Sequence, residues 1–321
     1  MRLVVAFLAA VAACSPAAQL STTTSAPPPT STAVVPITTT TTATTLPSSS
    51  TTSTLPLEET GLRMEADLAG LLAIGPRPGG SEAERRAAVY LEDRLETILG
   101  AVQSEEVPLR DGSSSLNLFG VTGEGPLEVL LGAHYDTVPV SPGADDNGSG
   151  TVVLLELARQ LRQRPVPGLR VTIAFFGAEE VLTGYGRNAH HFGSRLSSSR
   201  LAETDSLPDR MVSVDMVGLG DRLLAVTYLD TDLLVAEELQ AAGAALGMEI
   251  TIESRGDISD HESFARAGVP AAFLWRPDNP AWHTAEDDEV RVELLLEDLA
   301  VLEELLNRLG TGELFASRLA H

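Results

Sequence analysis

The stretch Leu127-Glu-Val-Leu-Leu-Gly-Ala-His134-Tyr-Asp136-Thr137 joins a short apolar run to a polar turn. The apolar run predicts a buried strand from Leu127 to Ala133, which ends where the polar residues begin. A second apolar run, Val171 to Gly177, is followed in the same way by the pair Glu179-Glu180. Between the two runs, the segment Thr151 to Arg162 has helical periodicity. This order, with polar residues after each strand, indicates an α/β fold with a site at the strand ends.

The chain beyond Leu57 continues to alternate between helical and strand-like patterns. An amphipathic segment from Glu82 to Leu99 predicts a helix that stops at Gly100. Further strands are predicted at Val212 to Val217, Leu223 to Tyr228 and Ala271 to Trp275, and further helices at Thr231 to Leu246 and Val290 to Leu309. We therefore expect one α/β domain with a mixed, mostly parallel central sheet flanked by helices.

The charge of the chain narrows the functions to consider. The 321 residues include 45 acidic and 22 basic residues, a net charge of -23, and every basic residue is arginine. Such a surface repels phosphate backbones and anionic lipid headgroups, which argues against nucleic acid as a partner and against polybasic membrane binding. The hydrophobic content of 43% is that of a folded protein. The single cysteine excludes an intramolecular disulfide and a cysteine-based metal site.

The N-terminus has the pattern of an export signal. Met1-Arg2 precedes an uncharged run from Leu3 to Ala13, which is too short to span a bilayer. The run ends in Val11-Ala-Ala-Cys14, which resembles the bacterial lipoprotein signal, in which the cysteine is lipidated and becomes the new N-terminus. We expect residues 1–14 to be a signal peptide and Cys14 to provide the only membrane contact. An ordinary secretory signal with a chance cysteine is the alternative.

Residues 15–56 contain no charged residue and consist mostly of Thr, Ser, Pro and Ala. This composition cannot bury enough apolar surface to order the chain, so we expect a disordered tether. The folded domain is predicted to occupy residues 57–321. The tether would hold that domain clear of the outer face of the cell membrane, which is an extracellular location.

Polar residues that a core would not tolerate gather after the predicted strands. Two histidines and several carboxylates stand out as candidate metal ligands: His134, Asp146, Glu180, Asp215 and His283. Imidazole and carboxylate ligands without thiolates favour zinc, and five ligands suit two ions that share one carboxylate. In the pair Glu179-Glu180, one residue can bind metal while the other acts as general base, with its pKa raised by burial and like charge.

These segments resemble the two-zinc aminopeptidase family, whose wider relatives include glutamate carboxypeptidase. The resemblance runs from about Leu68 to Glu289. It begins with Ile74-Gly-Pro-Arg-Pro-Gly-Gly-Ser81 and ends with Trp282-His-Thr-Ala-Glu-Asp287. It includes five motifs in the order that the family has them, each at a predicted strand end. The resemblance implies the fold of the zinc-dependent exopeptidases, with residues 57–321 as the catalytic domain.

The resemblance also implies two Zn²⁺ per chain and assigns their ligands. Asp146 would bridge the ions, His134 and Asp215 would complete one site, and Glu180 and His283 the other. Glu179 would be the general base, which takes a proton from the water between the metals and passes it to the leaving amine. Asp136 would hold the second nitrogen of the His134 imidazole and so select its tautomer.

The implied function is that of a secreted zinc aminopeptidase, expected to be a monomer, which removes N-terminal residues from peptides. A glutaminyl cyclase-like enzyme on the same fold, with a single zinc, is one alternative. The presence of His134, which such enzymes tend to lack, argues against it. A carboxypeptidase shares the same metal set and stays open. A non-catalytic binding ectodomain is disfavoured because all five ligands and Glu179 are present.

Several residues near the motifs have less specific interpretations. We expect Asp145 to be a solvated surface carboxylate and Asp260-His261 to support the packing outside the metal ligands. The segment from Val181 to Ser194, which contains His190-His191, is longer than in the family and predicts a surface insertion rather than a substrate-facing loop. Trp282 stands where many members have a tyrosine that helps to stabilise the oxyanion. Other candidates for pocket walls are Tyr185 and Trp275, although such aromatic residues more often belong to the core.

Overall fold

The computed structural model describes residues 57–312 except 183, 185, 187, 188 and 257, and these residues fold around a central sheet of eight strands. The strands are β1 (Gln103–Pro108), β2 (Ser114–Thr122), β3 (Leu127–His134), β4 (Leu169–Phe176), β5 (Arg210–Val214), β6 (Leu223–Tyr228), β7 (Ile250–Arg255) and β8 (Ala271–Trp275). Their order in the sheet is β1-β2-β4-β3-β5-β8-β6-β7.

The middle of the sheet is parallel. Strands β4, β3, β5 and β8 run in the same direction, as do β6 and β7, whereas β1–β2, β2–β4 and β6–β8 are antiparallel pairs. The predicted mixed, mostly parallel sheet is therefore confirmed. Because the four central strands are parallel, their carboxyl ends meet at one edge of the sheet, where ligands bind in open α/β folds.

Helices cover both faces of the sheet. They are α1 (Leu57–Leu72), α2 (Glu82–Leu99), α3 (Gly150–Gln163), α4 (Phe192–Glu203), α5 (Leu234–Ala245), α6 (His261–Arg266) and α7 (Val292–Thr311). The larger core joins α1, α2, α3, α5 and α7 to strand residues such as Leu131 and Val212. The smaller core joins α4 and α6 to the alternate strand residues Leu130 and Met211. Strands β3, β4, β5, β6 and β8 are largely buried on both faces, which explains why they appear in the sequence as continuous apolar runs.

Local sequence explains why α2 has the predicted bounds. The Ser81 side chain accepts a hydrogen bond from the Glu84 backbone N–H at 3.1 Å and so caps the first turn. Leu91 and Leu95 lie one turn apart on its buried face. Gly100 ends the helix in the left-handed region, with φ of 84°, and its N–H bonds to the Glu96 carbonyl.

Other predicted elements lie within about three residues of their observed bounds, and β6 and β8 match them. The patterns miss β1 and β7, which are the edge strands of the sheet and carry mostly polar side chains. They also miss β2, α1, α4 and α6. The predicted position of Asp215 inside a strand is wrong, because β5 ends at Val214 and Asp215 follows it.

The predicted signal peptide, the tether and Cys14 lie outside the described residues, so the domain boundaries stay predictions. Among the residues that the structure describes, no helix is both long and apolar enough to cross a membrane.

Candidate metal centre

The parallel strands bring the predicted site residues to one edge of the sheet. His134 is the last residue of β3, and Asp215 follows β5 directly. The pair Glu179-Glu180 follows β4, and His283 lies in the loop between β8 and α7. Asp146 comes from a short turn, Ala144–Ser149, that leads into α3. Residues up to 149 positions apart in sequence therefore meet at one place.

Two groups of side chains at this edge share Asp146. In the inner cluster (His134, Asp146 and Asp215), His134 Nε2 lies 3.2 Å from Asp146 Oδ1 and 3.4 Å from Asp215 Oδ1. In the outer cluster (Asp146, Glu180 and His283), His283 Nε2 lies 3.2 Å from Asp146 Oδ2 and 3.1 Å from Glu180 Oε1. Asp146 thus turns a different oxygen to each cluster, which is the arrangement that a bridging carboxylate needs.

The donor atoms of the site fit a divalent metal ion. Each cluster offers three ligand atoms that all lie within 4.8 Å of one another. Asp215 Oδ2 accepts a hydrogen bond from Ser259 at 2.9 Å, whereas the buried Oδ1 has no hydrogen-bond partner among the described residues. A buried carboxylate oxygen without a donor is costly, and a cation would satisfy it. Imidazole and carboxylate donors suit zinc.

The electrostatics of the outer cluster also call for a cation. Burial, followed by the charge of Asp146, raises the pKa of Glu180 to about 8. Burial disfavours the charged form of His283, but Asp146 and Glu180 outweigh it and raise the pKa of His283 to about 10. The two shifts mean that Glu180 and His283 hold protons near neutral pH when no metal is bound. Metal binding would have to displace these protons.

The expected rise in the pKa of Glu179 is wrong. Burial raises the pKa, but the nearby imidazoles of His134 and His191 outweigh burial and lower it below its ordinary value. His191 Nε2 lies 2.8 Å from Glu179 Oε1, a contact that the sequence does not reveal. Glu179 Oε2 lies 4.0 Å from His134 Nε2 and so faces the inner cluster.

Asp136 has a different contact from the predicted one. His134 Nδ1 hydrogen-bonds to the backbone carbonyl of Asp136 at 3.2 Å, while the Asp136 carboxylate lies 3.6 Å away. The two carboxylate oxygens instead accept the backbone N–H groups of Glu179 and Glu180 at 2.9 and 3.1 Å. Asp136 therefore holds the strand-end turn that carries both glutamates, and its backbone orients the imidazole.

Two buried aspartates shape the turn that carries Asp146. The prediction of a solvated Asp145 is wrong: its side chain is fully buried and accepts hydrogen bonds from Gly218 N and Asn279 Nδ2. Burial raises the pKa of Asp145 to about 8. Asp287, whose role the sequence analysis missed, accepts the backbone N–H groups of Asp145 and Asp146 at 3.0 and 3.2 Å. The position of Asp287 at the end of the motif Trp282 to Asp287 is the one feature of the sequence that points to such a role.

The sequence analysis also assigns no role to Arg77, although Arg77 lies within the motif Ile74 to Ser81. Its guanidinium is fully buried and donates to the backbone carbonyls of Tyr135, Pro142 and Gly143 at 2.6, 2.6 and 3.0 Å. Burial lowers the pKa of Arg77 to about 10, against the raising effect of nearby carboxylates that include Asp136. Arg77 thus holds both ends of the loop between β3 and the turn that carries Asp146.

A cavity of about 440 Å³ opens in front of both clusters. Its walls away from the ligands are largely apolar and include Val181, Met216, Ile258, Phe273, Trp275 and Trp282. The Trp282 ring packs against His283 at an interplanar angle of 31°, with ring centroids 4.2 Å apart, and Trp282 is 54% exposed. Trp275 and Trp282, two of the candidate pocket residues, therefore line the wall of this cavity, whereas the third, Tyr185, lies outside the described residues.

The end of the segment that follows the glutamates does not lie on the surface, contrary to the prediction of a surface insertion. His190 and His191 are buried, and both line the cavity. The expected supporting role of Asp260-His261 agrees with its position, because both residues are fully buried and neither belongs to the two clusters.

Comparison with known proteins defines the class that this fold and site represent. Residues 117–295, more than half of the chain, match Peptidase family M28. The chain therefore belongs to peptidase family M28. It is 34% identical over 189 residues to aminopeptidase YwaD of Bacillus subtilis, and this match covers 54% of the chain and 40% of YwaD. It is 49% identical over 59 residues to the probable lipoprotein aminopeptidase LpqL of Mycobacterium tuberculosis, which is 18% of this chain and 12% of LpqL. The chain thus spans less than half the length of either relative.

Solved structures share the fold. A zinc aminopeptidase from Bacillus subtilis superposes with a TM-score of 0.67 at 20% identity, over 78% of this chain and 95% of that one. A glutaminyl cyclase from Tannerella forsythia superposes with a TM-score of 0.67 at 24% identity, over 77% of this chain and 98% of the other. The predicted zinc-exopeptidase fold is confirmed, and the fold alone does not separate these two activities.

Proposed function

We propose that this protein is a two-zinc aminopeptidase that hydrolyses N-terminal residues of peptides. The observation that carries the proposal is the pair of three-residue clusters that share Asp146, with Glu179 beside them. His134 and Asp215 would complete one zinc site, and Glu180 and His283 the other. Membership of family M28 and the names of the relatives support a peptidase that acts at the N-terminus.

The residues of the chain supply a general base, contacts that orient this base, and an apolar surface for the substrate. Zinc at the two clusters would polarise the scissile carbonyl and lower the pKa of water at the site toward roughly 7. Glu179 takes the proton from the attacking water on Oε2 and delivers it to the leaving amine nitrogen, which restores the carboxylate. Asp136 keeps the backbone of Glu179 in place through a 2.9 Å hydrogen bond. The largely apolar walls of the cavity offer a surface for the side chain of the substrate.

A matched pair of peptides tests the direction of cleavage. One peptide has a free N-terminus and an amidated C-terminus, and the other is N-acetylated with a free C-terminus. We expect the purified protein to shorten only the first, from its N-terminus, and to release p-nitroaniline from aminoacyl p-nitroanilides but not from their N-acetylated forms. Cleavage of the second peptide alone would identify a carboxypeptidase and contradict the proposal.

A glutaminyl cyclase activity is the second candidate, because the superposition with the Tannerella forsythia enzyme is as close as that with the zinc aminopeptidase. Zinc content and ammonia release separate the two. We expect about two zinc ions per chain, since two clusters are present, and no ammonia from an N-terminal glutaminyl peptide. One zinc together with ammonia release would favour the cyclase.

We also propose that the protein is exported and held at the outer face of the cell membrane by a lipid on Cys14. The signal-like sequence supports this, as does the word lipoprotein in the name of LpqL. In a bacterial host, the wild-type protein should incorporate a palmitate analogue and partition into detergent. Cys14→Ala should do neither while its peptidase activity stays unchanged. Equal labelling of both forms would exclude the anchor.

A further inference from the structure

His191 connects the proposed general base to a second buried glutamate. Its Nε2 lies 2.8 Å from Glu179 Oε1, and its Nδ1 lies 3.1 Å from Glu262 Oε2. The backbone also joins the same residues, since the His191 N–H donates to the Glu179 carbonyl at 2.6 Å. His191 is 2% exposed and Glu262 is fully buried. Water therefore does not compete for either contact.

The two contacts define the hydrogen-bonding state of the ring. A carboxylate can only accept, so each ring nitrogen of His191 has to donate its N–H. A histidine that donates from both nitrogens is the imidazolium, and each of its hydrogen bonds is charge-assisted. The ring can satisfy both carboxylates only in one orientation.

Glu262 is itself held in place. It belongs to α6 and pairs with Arg266, one turn later in the same helix, and with Arg195 of α4 at 3.4 Å. Two arginines and one imidazolium balance the buried carboxylate, so no further cation is needed there. The position of His191 is thereby fixed to α4 and α6, which pack against the sheet.

The contact with His191 determines which way the Glu179 carboxylate points. With Oε1 bound to His191, the free oxygen Oε2 faces the inner cluster, 4.0 Å from His134 Nε2. A glutamate has three side-chain torsions, and a base has to sit within hydrogen-bond reach of the proton that it takes. The contact with His191 removes the alternative rotamers.

We propose that His191 is a positioning residue for the general base, anchored by Glu262. This inference rests on the proposed peptidase function of the same site. His191 directly precedes α4, at the end of the segment that follows Glu180. His191 does not touch the substrate in this proposal and acts only through Glu179.

A metal site is the competing interpretation of the same residues. One ring nitrogen each from His190 and His191 and one oxygen of Glu262 lie within 4.8 Å of one another. The contacts of His191 with two carboxylates and of Glu262 with two arginines already use these atoms. If the protein bound one more zinc than the two clusters account for, and His190→Asn removed it, the positioning role would be wrong.

Kinetics of a double-mutant cycle test the proposal. We expect His191→Phe to lower kcat by about 100-fold with little change in KM and with the zinc content unchanged. His191→Gln keeps an N–H donor toward Glu179 and should recover about 10-fold of that loss. Because His191 acts through Glu179, His191→Phe should have no further effect in the Glu179→Ala background. An equal loss in both backgrounds, or a change in KM alone, would show a structural role and overturn the proposal.

A second readout does not depend on activity or metal. In the metal-free protein with ¹⁵N-labelled histidine, His191 should show two ring N–H signals, both absent from His191→Gln. Glu262→Gln should alter the Nδ1–H signal more than the Nε2–H signal, because Nδ1 contacts Glu262. This variant replaces His191→Phe as the test if His191→Phe does not fold. A single ring N–H in the wild type would overturn the proposal. If no peptide is cleaved, the proposed function fails, while these signals still decide whether His191 holds Glu179.

Discussion

The inner and outer clusters of the metal centre contain the same kinds of side chain but differ in their surroundings. His134 and Asp215 of the inner cluster are 1% and 5% exposed, and they lie at the ends of the neighbouring strands β3 and β5. In the outer cluster, the His283 side chain is 35% exposed and comes from a loop, where its φ of 60° is in the left-handed region. The sheet positions one half of the site, and loop contacts position the other.

This difference predicts two kinds of behaviour. The ladder of hydrogen bonds between β3 and β5 holds the inner ligands, so a metal there exchanges slowly and contributes to folding. The outer cluster contains the more exposed ligand His283, so a metal bound there would exchange faster. The turn with Asp146 connects both halves, and changes to it should affect the whole centre.

The largest effect is expected from Asp146→Ala, which removes the residue that both clusters share. Each cluster would keep two protein ligands, so we expect zinc content to fall from about two to below one per chain and peptidase activity to be lost. Atomic emission on dialysed protein and a p-nitroanilide assay measure both. Asp288→Ala, an exposed neighbour of the same site loop, is the control. Near wild-type zinc content in Asp146→Ala would show that Asp146 is not the bridge.

The comparison between the clusters can be sharpened with His134→Ala and His283→Ala. In metal-free protein, His134→Ala leaves buried carboxylates without their imidazole and should cost about 3–5 kcal/mol of unfolding free energy. His283→Ala removes a partly exposed partner and should cost less than about 1 kcal/mol. Urea denaturation measures both values. With zinc added, His283→Ala should keep about one ion after mild chelation and His134→Ala fewer. Equal stabilities and equal zinc contents would remove the distinction between the two halves.

A smaller effect is expected when the support of the Asp146 turn is weakened. Asp287→Asn keeps the shape of the side chain but leaves one oxygen to accept the N–H groups of Asp145 and Asp146. We expect zinc affinity or activity to fall by about 10–100-fold, the usual range for such supporting partners. Asp288→Asn should leave both unchanged, because its side chain is exposed. If the two variants behaved alike, the hydrogen bonds of Asp287 would not matter for the centre.

The smallest effect is expected at Trp282, on the exposed rim. Its ring packs against His283, and such an aromatic contact is worth about 0.5–1.5 kcal/mol. Trp282→Phe preserves the aromatic contact and should keep kcat within about threefold, whereas Trp282→Ala should raise KM by about 2–10-fold. Steady-state kinetics on one p-nitroanilide are sufficient. A drop in kcat of about 100-fold in Trp282→Phe would instead show that the indole N–H stabilises the oxyanion.

The sequence predicts candidate ligands for both halves of the site but not the contacts that orient them. His134 ends an apolar run that the sequence shows directly, whereas the predicted strand Val212 to Val217 contains Asp215 and the observed strand ends before it. The contacts that orient the ligands are between residues far apart, such as Asp287 with Asp146 and Arg77 with Gly143. No periodicity signals such pairs. Asp145 was misjudged for the same reason, since its burial depends on Gly218 and Asn279.

The sequence by itself determined the α/β class, the mostly parallel sheet and the residue types of the centre, because apolar periodicity and motif order are local properties. Only the tertiary structure decided which carboxylate oxygen faces which histidine, and that His191 and Glu262 lie behind Glu179. The physical reason is that burial and charge at a strand end depend on every element packed around it. The pKa of Glu179 shows this, because burial alone predicts a rise and the imidazoles around it produce a fall.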